Sequence, residues 1–202
     1  MDFHIFTDPP MYASCYVVED NNCGILIDPC VLPETVFSYL GHTLKITHIL
    51  ITHGHFDHFI YLDEWKAATD AKVLISYDDA HLLKSASLNA SSLFRVAHST
   101  TCKTAPNTVL YGDEELHLGK IKVNVFSAPG HTAGGLLFII EDKLFSGDTL
   151  FYGSYGRYDL YSGDALVLLK TLRHMRSFCG KGLTLCPGHG DMCDYDRAYF
   201  SL

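Results

Sequence analysis

Short apolar runs alternate with turn-forming residues through the first half of the chain. Ser14–Val18 and Gly24–Ile27 read as neighbouring strands joined by a turn at Asp20-Asn21-Asn22. Pro33 opens a helix that runs to Leu40 and is closed by Gly41. Ile46–Ile51 reads as a buried strand, Phe59–Ala68 as a helix with Ile60, Tyr61, Trp65 and Ala68 on its apolar face, and Lys72–Ser76 as a further strand. Residues 77–107 are less regular: a short helical piece near Asp78–Leu83 precedes a stretch rich in Ser, Asn and Thr. This segment reads as an insertion or lid over a site. The second half repeats the layout. Ile121–Ser127 alternates as a strand, Leu136–Ile140 and Lys143–Ser146 form a hairpin around Glu141-Asp142, and Leu183–Cys186 is a last strand. Between them, Asp164 to about Phe178 carries Ala165, Leu168, Leu169, Leu172 and Met175 on one helical face, with Gly180 beyond its end. Strands followed by helix, twice over, predict two packed β-sheets with helices outside. No sequence repeat or low-complexity tract interrupts them.

Composition narrows the class. The chain has 202 residues, which suits one domain over 1–202 and is short for two. With 48% hydrophobic and 19% charged residues it reads as globular. A formal net charge of −8 disfavours nucleic acid as a partner and leaves a small-molecule substrate as the expectation. The N-terminus has no basic segment leading into an apolar one, and no apolar run is long enough to span a bilayer. The seven cysteines include no Cys-x-x-Cys pair, so reduced thiols in a cytoplasmic monomer or homodimer are expected.

Histidine changes the picture. There are twelve, and three of them fall in Thr52-His53-Gly54-His55-Phe56-Asp57-His58. His53 and His55 lie two apart just after a strand, so their rings project to one side of an extended chain. Asp57 and His58 follow where the chain turns into a helix. Imidazole and carboxylate donors suit zinc, and also iron or manganese. A lone histidine here would read as packing; four donors so close together read as a metal site. Further ligands should come from other strand exits beside glycine: His131 in Ala128-Pro129-Gly130-His131-Thr132, Asp148 in Phe145-Ser146-Gly147-Asp148-Thr149, and His189 in Cys186-Pro187-Gly188-His189-Gly190. His4, His42, His48, His81, His98, His117 and His174 lack this setting and are read as surface or packing residues.

Taken in order, Thr-His-Gly-His-Phe-Asp-His, Pro-Gly-His-Thr, Ser-Gly-Asp-Thr-Leu-Phe and Pro-Gly-His-Gly resemble the motif series of the metallo-β-lactamase superfamily. The chain is most similar to its small glyoxalase II-like hydrolases. Gly153–Leu160 is similar to their Gly-Arg-x-Asp segment, and Leu88-Asn89-Ala90-Ser91 also resembles theirs. The resemblance implies an α+β fold, a four-layer αββα sandwich with metals at one end of the sheets. It implies two divalent ions, zinc first and otherwise iron or manganese. His53, His55 and His131 would hold one, Asp57, His58 and His189 the other, and Asp148 would bridge them. A hydroxide between the ions would attack a carbonyl carbon, oriented by Asp57 as the catalytic carboxylate.

A thioester is the leading substrate class. Only Gly190–Leu202 follow His189, so the helical domain that carries glutathione-binding residues in full-length glyoxalase II is expected to be absent. This tail also lacks the Thr-x-x-x-Glu-x-x-x-Asn-Pro pattern of the small relatives, and Cys30 stands where they usually have Gly. An iron-dependent persulfide dioxygenase and a lactonase served by Tyr152, Tyr155 or Tyr158 stay open; a β-lactamase, a nuclease or a non-catalytic binding module is less favoured. Asp28 reads either as a support for the histidines or as a turn residue before Pro29. Arg157 reads either as an orienting group or as one half of an ion pair with Asp159.

Overall fold

The computed structural model describes residues 1–9, 11–94 and 101–199. Along the chain run β1 (Asp2–Thr7), β2 (Ser14–Asp20), β3 (Cys23–Ile27), α1 (Pro33–Leu40), β4 (Lys45–Leu50), α2 (Phe56–Phe59), α3 (Leu62–Thr69) and β5 (Lys72–Ser76). A 3₁₀ turn at Ala80–Lys84 and α4 (Ser91–Phe94) lead to β6 (Thr108–Leu110). Then come β7 (Glu114–Leu118), β8 (Ile121–Ser127), β9 (Leu136–Ile140), β10 (Lys143–Gly147), β11 (Leu150–Phe151), β12 (Ser154–Tyr155), α5 (Ala165–Phe178), β13 (Thr184–Pro187), β14 (Cys193–Asp194) and α6 (Tyr195–Tyr199).

The apolar runs are strands buried on both faces, and their alternation separates three apolar layers. One sheet has the order β1-β2-β3-β4-β5-β6 and the other β14-β13-β10-β9-β8-β7. In β3 and β4, Ile25, Ile27 and Leu50 point inward to meet Val123, Val125, Phe138 and Phe145 of the other sheet. Leu26 and Ile49 point the other way, under Val36 of α1 and Trp65 of α3. On the far side Leu137, Leu144 and Leu185 pack under Leu168, Leu172 and Met175 of α5. Helix, sheet, sheet, helix is therefore the α+β, four-layer arrangement expected. At Asn21 and Asn22 the β2–β3 turn takes φ of 51° and 62°, the left-handed geometry that suits Asn and the twist of a hairpin. Asp164 caps α5, accepting from the amides of Leu166 and Val167. Of that helix's expected apolar face, Leu168, Leu172 and Met175 are buried, joined by Thr171, while Leu169 is exposed.

Two expectations need correction. The helix read over Phe59–Ala68 is two helices, α2 and α3, broken at Ile60-Tyr61. The Tyr61 amide donates to Pro29 O at 3.1 Å instead of continuing the helical ladder, and Leu62 with Trp65 forms the buried face of α3. The 77–107 segment is not simply a lid. Leu82, Leu83, Asn89 and Ser91 are buried in it, and the Phe56 amide donates to Asn89 O at 3.1 Å, so its first part braces the histidine-bearing loop from below. Its last part is tied to α3 by Asp63, which accepts from the amides of Lys103 and Thr104 and from Thr104 Oγ1. His98 and the Ser/Thr tract around it lie outside the described residues.

Asp63 gives a pH-dependent prediction. Burial pulls its carboxyl up, but the donors from Lys103 and Thr104 outweigh this and hold it below the usual range. Asp63→Ala should lower stability by about 1–2 kcal/mol at neutral pH. A depressed carboxylate contributes fully above the unfolded value near ~3.9 and loses its contribution as pH falls through the folded one. Urea melts at pH 7 and near pH 3 should show the gap between variant and wild type closing at the lower pH; an equal gap at both would contradict the ionic role.

Candidate metal centre

The sheets meet most closely at one end. Leu136 N donates to Thr52 O at 2.8 Å, Ser14 N to Gly188 O at 2.7 Å, and Tyr16 Oη to Pro187 O at 2.6 Å. Each of these bonds joins one sheet or its exit loop to the other. β4 leads out to His53, β8 to His131, β10 to Asp148 and β13 to His189, so four strand exits empty into the same space.

All seven sequence-predicted ligands converge there. Three overlapping groups have ligand atoms within 4.8 Å of one another: His53, His55 and His131; His53, His58 and Asp148; Asp57, His58 and His189. Asp148 lies between them, with Oδ1 3.3 Å from His58 Nε2 and Oδ2 3.6 Å from His131 Nε2 and 3.8 Å from His189 Nε2. Asp57 Oδ2 is 3.3 Å from His189 Nε2. His53, His55, His58 and His131 are buried, and His189 is partly open to solvent.

The outward ring nitrogens determine what the inward ones present. His131 Nδ1 donates to Arg157 O at 2.6 Å, and His58 Nδ1 to Asp28 Oδ2 at 2.8 Å. Thr52 Oγ1 gives its proton to Asp28 Oδ2 and so accepts from His53 Nδ1 at 3.1 Å. His53 and His131 therefore turn their Nε2 atoms toward each other across 3.2 Å, and His55 Nδ1 lies 2.8 Å from the same His131 nitrogen. Three imidazole nitrogens gathered this closely can share a cation. His55 Nε2 is buried without a hydrogen-bond partner, and His58 Nε2 and Asp148 Oδ1 are buried facing only each other at 3.3 Å. A nitrogen-rich donor set with one carboxylate in its middle fits divalent metal of the zinc, iron or manganese kind.

The titration directions divide the cluster. Burial pushes His53 well below the usual imidazole range, and the crowded His58 and His131 rings push the same way. Burial, with His131 alongside, takes His55 down to about 3. His58 goes the other way: burial opposes its charged form, but Asp148 and Asp28 outweigh it and raise it well above the usual value. Burial works against an ionised Asp148, yet His58, His131 and His53 hold it well below the carboxylate range. Asp57 is likewise held low against burial by His189 and His58.

Asp28 is a support for the histidines as well as a turn residue. It has φ of 55°, is buried, and accepts from Thr52 N, Thr52 Oγ1 and His58 Nδ1. Arg157 forms a two-pronged exposed pair with Asp159 at 2.7 and 2.9 Å, while its backbone carbonyl does the orienting of His131. Tyr152, Tyr155 and Tyr158 are exposed. All seven cysteines are free; Cys30 is buried, its Sγ donating to Ala13 O at 3.2 Å. His81 packs on Tyr161 with ring centroids 5.9 Å apart and belongs to none of the three groups.

One group at the site is absent from the sequence reading. Asp79 is fully buried and accepts from Gly54 N, Thr132 Oγ1 and Gly134 N at 2.7–2.8 Å. In sequence it sits in Tyr77-Asp78-Asp79-Ala80, which has the look of a surface turn. Only the Thr after His131 hints at a partner.

The metallo-beta-lactamase superfamily model matches residues 8–189. A probable metallo-hydrolase of Bacillus subtilis, YqgX, is 31% identical over 189 residues, covering 92% of this chain and 88% of that one. A hydroxyacylglutathione hydrolase of Rhodospirillum rubrum is 31% identical over 169 residues, covering 83% of this chain and 57% of the longer enzyme. Among solved structures, the B3 metallo-beta-lactamase BLEG-1 superposes with a TM-score of 0.90 at 28% identity over 99% of both chains. The di-iron-bound form of TTHA1623 superposes with a TM-score of 0.79 at 31% identity over 95% and 94%. No helix among the described residues is long and apolar enough to cross a membrane. With the fold, the convergent donors and these matches in agreement, the chain belongs to the metallo-beta-lactamase superfamily and is a metallo-hydrolase.

Proposed function

We propose that this chain is a dinuclear metal-dependent hydrolase that opens a carbonyl-centred bond, a thioester first. The observation that carries the reading is Asp148, a single carboxylate between a three-histidine group and an Asp-His-His group. His53, His55 and His131 would hold one ion, Asp57, His58 and His189 the other, and Asp148 both. Two divalent ions, zinc first, would supply a water of lowered pKa and a Lewis acid for the carbonyl oxygen. The chain's own residues do the rest. Asp57, held ionised beside His189, accepts a hydrogen bond from the attacking water and orients it. Thr52, Asp28 and the Arg157 carbonyl orient the rings of His53, His58 and His131, so that each turns its Nε2 inward. The partly open His189 lies on the side from which substrate enters. The di-iron neighbour supports a two-ion centre, and the hydroxyacylglutathione hydrolase supports the thioester.

A second reading is favoured by one finding. BLEG-1 matches end to end, which brings β-lactam opening, also an attack on a carbonyl, within reach of the same site. The test is one panel on purified, metal-analysed protein: acyl thioesters with and without a glutathione moiety, lactones, and a chromogenic β-lactam. Thioester cleavage as the fastest reaction, with two metals per chain, is expected. One iron per chain with oxygen consumption would replace hydrolysis by a dioxygenase reading, and fastest turnover of lactone or β-lactam would replace the thioester.

A further inference from the structure

Asp79 is a buried carboxylate with an unusual set of partners. Its three donors are the neutral groups Gly54 N, Thr132 Oγ1 and Gly134 N, and among the described residues no lysine or arginine is paired with it. Taking a carboxylate out of water costs several kcal/mol, so three donors without a counter-ion is a costly arrangement for simple packing. The donors come from two loops. Gly54 lies between His53 and His55, and Thr132 and Gly134 lie just after His131. Every imidazole of the three-histidine group is thus next in sequence to a group bound by Asp79. None of Asp57, His58 or His189 is, and among those His58 is served by Asp28 instead.

The carboxylate itself is held in place. Asp79 N donates to Ser76 Oγ at 3.1 Å and Leu82 N to Asp79 O at 2.9 Å. A Cβ on Gly134 would run into Ser76 Oγ and Asp79, and one on Gly54 into Leu82, so the two loops approach this close only because both positions are glycine. Asp148 is shared between the two groups. Burial raises the Asp79 carboxyl against the pull of its three donors, and this second carboxylate, bound to the loops of His53, His55 and His131, acts on one half of the centre.

We propose that Asp79 is a positioning residue for the three-histidine half of the metal centre. It clamps the His53–His55 loop to the His131 loop, and its charge favours a cation there. The inference rests on the two-ion reading above.

The test is metal binding by the full-length chain, measured with zinc alone against a competing chelator, without substrate. Wild type should take up two equivalents. Asp79→Asn keeps the shape but removes the charge and turns an amide N–H against a backbone N–H. It should weaken one equivalent by about 10–100-fold, the range for outer-shell partners, and leave the other unchanged. In a His189→Ala background, which retains the three-histidine group, Asp79→Asn should show that full loss; in a His131→Ala background it should show none. Should Asp79→Asn fail to fold, Thr132→Val removes one donor and keeps the charge, and should weaken the same equivalent by a smaller factor. Unchanged affinity at that equivalent, or an equal fall at both in step with a fall in Tm, would overturn the proposal and leave Asp79 a structural brace. A wild type that takes up only one equivalent would overturn both the proposal and the two-ion reading; two equivalents in wild type with an unaltered variant would overturn the proposal alone.

Discussion

Asp148→Ala loses metal and activity together. The carboxylate lies within 4 Å of His58, His131 and His189 at once, so its removal takes a donor from both halves. It also takes away the negative charge that offsets His58, leaving that buried ring with Asp28 as its remaining carboxylate partner. Metal content measured on protein purified without chelator should fall below one ion per chain. Hydrolysis should fall by more than the ~10²-fold expected from losing an outer-shell partner. Asp148→Asn, which keeps the volume and removes the charge, should behave almost as badly. A metal-replete, active Asp148→Ala protein would rule out the bridging role.

Gly188→Ala should damage the centre nearly as much without replacing any ligand. The backbone at Gly188 is not in the left-handed region, so an alanine is conformationally allowed there. Space is the obstacle. A Cβ would meet Asp148 Oδ1, His58 Cε1 and the Gly147 carbonyl carbon. The residue cannot slide away, because its N–H is bonded to Gly147 O and its carbonyl to Ser14 N, each at 2.7 Å. The methyl group must therefore displace Asp148 or His58. Overpacking of this kind costs about 1–3 kcal/mol, and a ~1 Å misplacement of reacting groups costs about 10²-fold in rate. Gly190→Ala is the control. Its φ of 82° makes alanine strained, yet nothing lies within 4 Å of the added Cβ. It should lose about 1–3 kcal/mol of stability and keep its metal. Thermal melts with metal analysis separate the two, and equal metal content in both variants would mean that the space around Asp148 is not limiting.

The parts legible in the sequence were those whose pattern is local. Strands buried on both faces, such as Gly24–Ile27 and Leu136–Ile140, stand out as unbroken apolar runs. The ligands stand out because each occupies a Gly-marked strand exit. Edge strands were missed for the opposite reason. In β7, Leu116 and Leu118 alternate with Glu115 and His117, and β1 is half exposed, so neither shows a strong apolar run. The break between α2 and α3 depends on Pro29 O, and the clamp at Asp79 on amides from Gly54 and Gly134, which lie 25 and 55 residues away. Pairings of that span leave no periodicity. Asp63 anchoring Thr104 is another case, and it is why the segment before β6 looked looser than it is.

The division of ligands along the chain has a consequence for how the protein is made. The three-histidine group takes two members from before residue 60 and one from after 130, and the Asp-His-His group does the same. Neither sheet alone offers a complete site, so a partly synthesised chain has no finished pocket to fill. Metal capture must then follow the docking of the two sheets through Thr52–Leu136 and Ser14–Gly188. In the proposed two-ion centre, bound ions would act as rivets between the halves: prising the sheets apart would have to overcome ligand bonds as well as the apolar layer, and chelation should weaken the seam before either sheet.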